Sequence, residues 1–100
     1  MTRIHMLLVS VFAAAGSFGV PVESFRVRDP FVVPSQEDGL YHLFVSDQWS
    51  GGVGVSVRTS RDLADWSEPK KVLSIPESWK VVDTWAPEVH RHKGAWYIFV

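Results

Sequence analysis

Short apolar runs, separated by turn-forming residues, follow one another along the chain from residue 31 onward. The first four runs lie at residues 31–33, 40–45, 53–59 and 71–73. Runs of this length that are rich in Val, Phe and Tyr and bounded by Gly, Pro, Asp and Ser predict β-strands. Because the connections between them are short, we expect these four strands to form one antiparallel sheet.

The same pattern begins a second time near the end of the sequence. Residues 88–91 and 95–100 predict two more strands, joined at a tight Lys-Gly turn. Pro87 follows Pro30 by 57 positions, and Gly94 follows Gly39 by 55. A four-stranded unit that repeats at this distance predicts an all-β protein of the β-propeller type, with blades in the kelch size range. Two unrelated hairpins of a β-sandwich are the alternative.

The length of the chain is too small for a complete propeller. A closed ring needs at least four blades, and 100 residues hold about one and a half. The last predicted strand would also leave an unpaired apolar edge at residues 96–100. We therefore expect residues 29–100 to be the N-terminal part of a larger propeller domain, which this chain contains only incompletely.

The N-terminus has a different pattern. One basic residue, Arg3, precedes an apolar stretch at residues 6–15, and small residues follow. This arrangement predicts a secretory signal at residues 1–15, followed by a lead-in segment at residues 16–28. The protein would then be secreted or periplasmic. If the stretch is instead a first buried strand, the protein would be cytoplasmic. No apolar run reaches the roughly 18 residues of a membrane span.

Composition narrows the chemistry. The chain has 10 Lys and Arg against 11 Asp and Glu and no basic block, so nothing favours a nucleic-acid partner. It has no Cys, which excludes disulfides, thiolate metal ligands and a thiol nucleophile. Five Trp and six Phe suit either a large core or a surface on which sugars stack.

The first candidate for chemistry is Asp29, which directly precedes the first predicted strand. In a propeller this position lies beside the central channel, where a carboxylate can activate water. Pro30 disfavours the α region for Asp29, so we expect an extended Asp29. The alternative is an Asp that only shapes a turn.

The second candidate group is Trp85 and Glu88, which the repeat places at the start of the second blade. There they would face the same axis as Asp29. An exposed Glu and a core Trp are the alternative. His90 and His92 lie two apart, as metal ligands can, but no third ligand accompanies them, so we expect no metal or other cofactor.

Three further features favour structural roles. Ser60 begins a predicted capped turn, in which its hydroxyl serves as a local acceptor. Asp47 and Asp83 lie in predicted loops near the mouth of the site, where structural roles are favoured.

Three segments together resemble glycoside hydrolase family 43. The resemblance covers about residues 25–100, and its order and spacing match the start of that family's five-bladed propeller. The Ser-x-Asp-Leu-x-x-Trp segment recurs in related five-bladed families and so speaks for the fold more than for the activity. The segments are Arg28-Asp29-Pro30-Phe31, Ser60 to Trp66, and Trp85-Ala86-Pro87-Glu88-Val89-His90.

This resemblance implies an inverting hydrolase that cleaves O-glycosidic bonds in arabinan, arabinoxylan, xylan or derived oligosaccharides. It assigns Asp29 as the general base and makes Trp85, Glu88 and Arg28 substrate-binding or site-lining residues. Arg28 would either pair with a site carboxylate or be solvated. The family's general-acid Glu, its pKa-tuning Asp and the ligands of a channel cation lie in later blades. The chain alone is therefore expected to be inactive.

Other propellers remain as alternatives. A non-catalytic carbohydrate-binding β-propeller would use the same aromatic residues. A kelch- or WD-like interaction propeller would need its own repeat signatures, and no Gly-His…Trp-Asp pattern is present. Sucrose- and fructan-acting propellers usually show Asn-Asp-Pro where this chain has Arg28-Asp29-Pro30.

Overall fold

A computed structural model describes residues 2–4, 19–49 and 51–100 of the chain. Over these ranges the protein consists of β-strands and two short 3₁₀ turns, at Val22–Ser24 and Glu77–Trp79, with no α-helix. No helix in these ranges is long and apolar enough to cross a membrane. The strands are β1 (Thr2–Ile4), β2 (Val20–Pro21), β3 (Phe31–Pro34), β4 (Tyr41–Asp47), β5 (Gly54–Ser60), β6 (Asp65–Trp66), β7 (Lys70–Ser74), β8 (Glu88–His92) and β9 (Ala95–Phe99).

The four main strands predicted first form a single antiparallel sheet in the order β3-β4-β5-β7. Phe44 in β4 lies opposite Phe31 in β3 on one side and opposite Val57 in β5 on the other. Cross-strand neighbours of this kind stabilise a sheet and fix its register. This sheet is the first blade, and it confirms the predicted antiparallel arrangement.

Gly54 permits a close approach between β5 and β7. A Cβ atom at this position would lie 1.8 Å from the carbonyl oxygen of Leu73. The pairing between the two strands also shifts register between Val55 and Ser56, as at a β-bulge. A bulge increases the local twist of a sheet. At Gly54 the backbones of β5 and β7 lie so close that only a residue without a side chain fits.

The hydrophobic core extends from the first blade into the second. Phe44 and Val55 of the first blade pack in one cluster with Val89 of β8 and Ile98 of β9. Trp96, two residues before Ile98 in β9, packs against the same cluster, as expected for side chains on one face of a strand. The two sheets therefore bury their apolar faces against each other, as neighbouring blades do.

The second sheet has the order β1-β9-β8. Its hairpin has the predicted turn, at which Lys93 and Gly94 both take positive φ. The prediction of an unpaired edge at residues 96–100 was wrong, because β1 pairs antiparallel with β9 and places Thr2 opposite Ile98. The missing information was long-range, since the first residues of the chain supply the neighbouring strand.

A compact turn connects β5 to β6. The Ser60 hydroxyl accepts hydrogen bonds from the backbone N–H groups of Asp62 and Leu63, at 3.2 and 2.9 Å. The Asp62 carboxylate accepts two more, from Ala64 and Asp65. These side-chain acceptors satisfy backbone donors that no strand pairs, which confirms the capped turn predicted at Ser60.

The segment that leads into the first blade is attached to this turn. Val20 of β2 lies opposite Trp66 of β6, and the Val22 N–H donates to the Ala64 carbonyl at 2.9 Å. The indole of Trp66 is buried, and its Nε1 donates to the Leu63 carbonyl. The apolar stretch 6–15, predicted to belong to a signal, lies outside the described residues.

Candidate functional site

A cavity of about 390 Å³ lies where the lead-in segment, the first blade and the connection to the second blade meet. Four groups of residues surround it: residues 25–29 before β3, residues 45–49 where β4 ends, Ser56 and Arg58 of β5 with Pro69 before β7, and residues 83–86 before β8. Its polar and aromatic lining includes Arg28, Asp29, Asp47, Trp49, Ser56, Arg58, Asp83, Thr84 and Trp85.

Asp29 lies on the wall of this cavity and is exposed. Asp29 makes no hydrogen bond and no ion pair to any residue that the structure describes. A carboxylate in this state has its oxygens open to water and to a ligand, as a general base requires.

The backbone at Asp29 differs from the expected extended conformation. Its φ is 47°, in the left-handed region, although Pro30 follows. The prediction from the proline alone was therefore wrong. Asp is one of the few residues other than Gly that enter this region at modest cost. This conformation lies at the bend where the chain passes from the lead-in segment into β3, so the path of the chain here departs from the preference that the proline sets.

Trp85 and Arg28 meet at the rim of the cavity. The guanidinium carbon of Arg28 lies 5.3 Å from the centre of the Trp85 ring, a cation–π distance. Trp85 is nevertheless 66% exposed. In the part of the chain that the structure covers, no salt bridge joins Arg28 to a carboxylate. The sequence predicted an Arg28 that is paired with a carboxylate or solvated, whereas the structure places its guanidinium over an aromatic ring.

Thr84 fixes the backbone next to Trp85. Its buried hydroxyl donates to the Gly54 carbonyl at 2.6 Å, and its N–H donates to the Asp83 carboxylate at 2.8 Å. The first bond ties the connection between the blades to β5. Trp85 therefore extends from a backbone that is anchored one residue earlier.

Glu88 lies at the start of β8 but outside the lining of this cavity. Its carboxylate contacts His90 Nε2 at 3.1 Å, and both side chains are more than half exposed. The His90 ring in turn packs edge-on against Phe31, with ring centres 5.6 Å apart. The structure thus brings Asp29, Arg28 and Trp85 together at the cavity and places Glu88 on the neighbouring strand.

Asp47 is the last residue of β4 and is buried at the edge of the cavity, although the sequence predicts a loop there. Its carboxylate accepts a hydrogen bond from the Ser56 hydroxyl and lies 3.3 Å from Lys71 Nζ. This carboxylate is held by protein groups, in agreement with the structural role favoured for it. Sequence reasoning missed Lys71, which lies 24 positions from Asp47.

Arg58 forms another part of the wall that sequence reasoning missed. Its guanidinium carbon lies 4.3 Å from the centre of the Phe25 ring, and one of its N–H groups donates to the Ser67 carbonyl at 2.9 Å. The alternation of β5 gives a signal for it, because Arg58 lies two residues after Ser56, which also lines the cavity.

The described ranges hold no group of three or more His, Asp or Glu side chains that could bind a metal ion. His92 packs against the Tyr97 ring, with ring centres 6.5 Å apart. The Glu88–His90 pair is therefore not joined by a third ligand in this part of the chain.

Comparison with known proteins shows the family. The sequence model described as Glycosyl hydrolases family 43 matches residues 18–100. The chain belongs to glycosyl hydrolase family 43. Searches of curated proteins and of solved structures found no match.

Membership of family 43 fixes the architecture and the general activity. The family's fold is a five-bladed β-propeller, of which this chain forms one blade and part of a second. A family 43 protein is a glycoside hydrolase, so the ligand class is carbohydrate. The match covers all the residues that line the cavity, from Phe25 to Ala86.

Proposed function

We propose that this family 43 glycosidase hydrolyses O-glycosidic bonds in arabinose- or xylose-containing carbohydrates with inversion, and that Asp29 is its general base. One observation carries the assignment: Asp29 is an exposed carboxylate on the cavity wall with no partner among the described residues. In the resemblance to family 43, the Asp of the Asp-Pro segment is the base, and that segment here is Asp29-Pro30.

The other carboxylates of the cavity suit this role less well. Asp47 is buried, and it is bound to Ser56 and Lys71. Asp83 is half-buried and accepts the Thr84 N–H. A carboxylate whose oxygens already accept hydrogen bonds from protein donors has less freedom to bind and orient a water molecule.

The size and lining of the cavity support a sugar ligand. Its volume of about 390 Å³ lies at the small end of typical ligand sites, roughly 300–1,000 Å³. The exposed face of Trp85 offers an apolar surface on which a sugar ring can stack. Arg28 adds N–H donors beside that face for sugar hydroxyl groups.

Inversion needs a second carboxyl group. A general acid must protonate the leaving oxygen while the base activates water on the opposite face of the sugar, with the two carboxyls roughly 6.5–9.5 Å apart. By the resemblance, this acid and a pKa-tuning Asp come from later blades of the propeller. We therefore expect the 100-residue chain alone to be inactive.

The decisive experiment replaces Asp29 by Asn in a protein that carries all five blades. We expect kcat on aryl arabinofuranosides or xylosides to fall about 10²- to 10⁴-fold, because the general base is lost while its shape is kept. Asp83→Asn is the matched control, since it removes the charge of another cavity carboxylate. NMR of the first product should show an inverted anomeric centre.

Two results would contradict the proposal. An unchanged kcat for Asp29→Asn would remove Asp29 from the chemistry, and a product of retained configuration would exclude inversion. The alternative is a propeller that binds carbohydrate without cleaving it, which the exposed indoles of Trp49 and Trp85 also favour. A protein that only binds carbohydrate would release no sugar even with Asp29 intact. Its affinity for arabinan or xylan would be unchanged by Asp29→Asn.

The chain alone provides a separate test. Residues 16–100 should show no turnover of aryl arabinofuranosides or xylosides, because Asp29 has no general acid opposite it. Turnover by a soluble, folded monomer would require a second acid within the chain, and Glu88, Asp47 and Asp83 would be the residues to test.

A further inference from the structure

Trp49 has an unusual position for a large apolar side chain. It follows β4 by two residues, lines the cavity and is 84% exposed. Leaving an indole in water forgoes the free energy that its burial would contribute. Exposed aromatic residues at the rim of a cavity are typical of ligand contacts. Because the indole of Trp49 is not held by burial, its position depends on the contacts of the neighbouring backbone.

The backbone at Trp49 is tied to a buried carboxylate. The Trp49 N–H donates to Asp47 Oδ1 at 2.9 Å. The other oxygen of that carboxylate, Oδ2, accepts the Ser56 hydroxyl from the neighbouring strand. Asp47 is buried at the end of β4. Its carboxylate therefore links the Trp49 backbone to the side chain of Ser56 in the sheet.

Lys71 closes this arrangement from the far side of the blade. Its Nζ donates to the carbonyl oxygens of Asp47 and Gly52, at 2.8 and 2.6 Å, and lies 3.3 Å from Asp47 Oδ2. One ammonium group thus contacts both sides of the β4–β5 connection. Two of the three donors of this ammonium therefore have carbonyl acceptors in the cluster, and the Asp47 carboxylate lies within ion-pair distance of it.

The burial of Lys71 shows that this contact is specific. Only 15% of its side chain is exposed, whereas Lys70, the preceding residue of β7, is exposed. A charged group is removed from water only when partners replace the water. Mobile surface lysines make no such set of contacts, so Lys71 fixes the backbone on both sides of Trp49.

We infer that Lys71 is a positioning residue, which holds Trp49 at the rim of the cavity so that its indole stacks on a sugar unit of a bound arabinan or xylan chain. This inference rests on the proposed carbohydrate substrate. It concerns binding, since Lys71 contacts backbone and Asp47 and lies outside the set of residues that line the cavity.

The test compares Lys71→Met with Lys70→Met in a protein that carries all five blades. Both changes remove one ammonium group from β7, but only Lys71 contacts the Trp49 segment. Lys71→Met should raise KM on arabinan or arabinoxylan about two- to tenfold, the range for loss of one aromatic contact, with kcat unchanged. Lys70→Met should change neither, and Lys71→Arg should restore part of the loss.

A double-mutant cycle with Trp49→Ala identifies the route of the effect. If Lys71 acts through Trp49, then Lys71→Met should add nothing to KM once Trp49 is Ala. Hydrogen exchange gives a readout that needs no substrate, since the Trp49 amide should lose its protection in Lys71→Met and keep it in Lys70→Met. Equal effects of Lys71→Met with and without the Trp49 indole would overturn the inference, as would a fall in kcat at constant KM.

Folding and the proposed chemistry are controlled separately. If Lys71→Met does not fold because Asp47 is left buried and charged, the variant Lys71→Met with Asp47→Asn removes that charge. Because Asp47 itself holds the Trp49 N–H, this variant is compared with Asp47→Asn alone, above which its KM should show the same rise. Equilibrium binding of arabinan and xylan in an Asp29→Asn background measures the contact without hydrolysis. If adding Lys71→Met to Asp29→Asn leaves the affinity for both polymers unchanged, the role of Lys71 is overturned, even if Asp29 is the base.

Discussion

Asp29 and Ala86 have the same backbone conformation at corresponding places in the two blades. Their φ angles are 47° and 40°, and a proline follows each of them. For Ala this region costs roughly 1–2 kcal/mol, and the following proline restricts it further. Strain of this kind persists where the surrounding structure requires it, and it concentrates at functional sites. Both residues line the cavity.

Replacing Ala86 by Gly should therefore stabilise the protein. Gly enters the left-handed region without the Cβ clash, and its larger loss of backbone entropy offsets part of the gain. We expect an increase in the free energy of unfolding of up to about 1 kcal/mol, measured by urea denaturation of a protein with a complete propeller. Ala64→Gly, at an exposed position without positive φ, is the control and should be destabilising.

The opposite result is expected at Gly54. An Ala side chain there would place its Cβ 1.8 Å from the Leu73 carbonyl oxygen, which forces β5 and β7 apart. Gly54→Ala should lower the free energy of unfolding by about 1–3 kcal/mol or more, as overpacking does. Gly39→Ala meets no atom within 4 Å and is strained only by its φ of 69°. A smaller effect at Gly54 than at Gly39 would contradict the close approach.

The blade was predictable because its signals are local. The strand positions follow from apolar runs, and the turn at Ser60 follows from a hydroxyl that reaches backbone donors two and three residues away. Family membership could also be inferred from short segments, since Asp29-Pro30 and Trp85-Ala86-Pro87 lie within the matched range.

Three of the unpredicted features depend on residues that are distant in sequence. Arg28, which precedes the first blade, contacts Trp85, which precedes the second. Lys71 of β7 reaches Asp47 of β4 across β5, the strand that pairs with both. The pairing of β1 with β9 joins the two ends of the described chain. No pattern within a single segment contains these contacts.

Acid should weaken the turn that carries Asp62. Hydrogen bonds from the backbone N–H groups of Asp65 and Ala64 lower the pKa of Asp62 below its ordinary value of 3.8. A group whose pKa is lower in the folded state stabilises the fold above its unfolded pKa and loses that contribution as the pH falls through the folded value. The difference in unfolding free energy between the native protein and Asp62→Asn should therefore shrink below about pH 4.

Urea denaturation of both proteins between pH 7 and the lowest pH at which they fold measures this difference. Asp65→Asn is the control, because it removes a neighbouring exposed charge from the same turn. A difference between the native protein and Asp62→Asn that stays constant with pH would show that the carboxylate charge is not involved.

The N-terminal segment gives a prediction about processing. If residues 1–15 form a signal, the exported protein should begin at Gly16, which mass spectrometry of the mature N-terminus would show. β1 would then be lost, and the edge of β9 that it pairs with would become available to another strand. An intact Met1 or Thr2 on exported protein would contradict the signal and favour a strand that belongs to the domain.

The cluster that Phe44 and Val55 share with Val89 and Ile98 has a consequence for how the molecule melts. Because each sheet completes the apolar interior of the other, neither can open without exposing its neighbour's side chains to solvent. Amides of β4 and of β9 should then exchange their hydrogens through one common event, with similar opening free energies. The blade is the unit that repeats in the fold, but the smallest unit that unfolds cooperatively should be two adjacent blades.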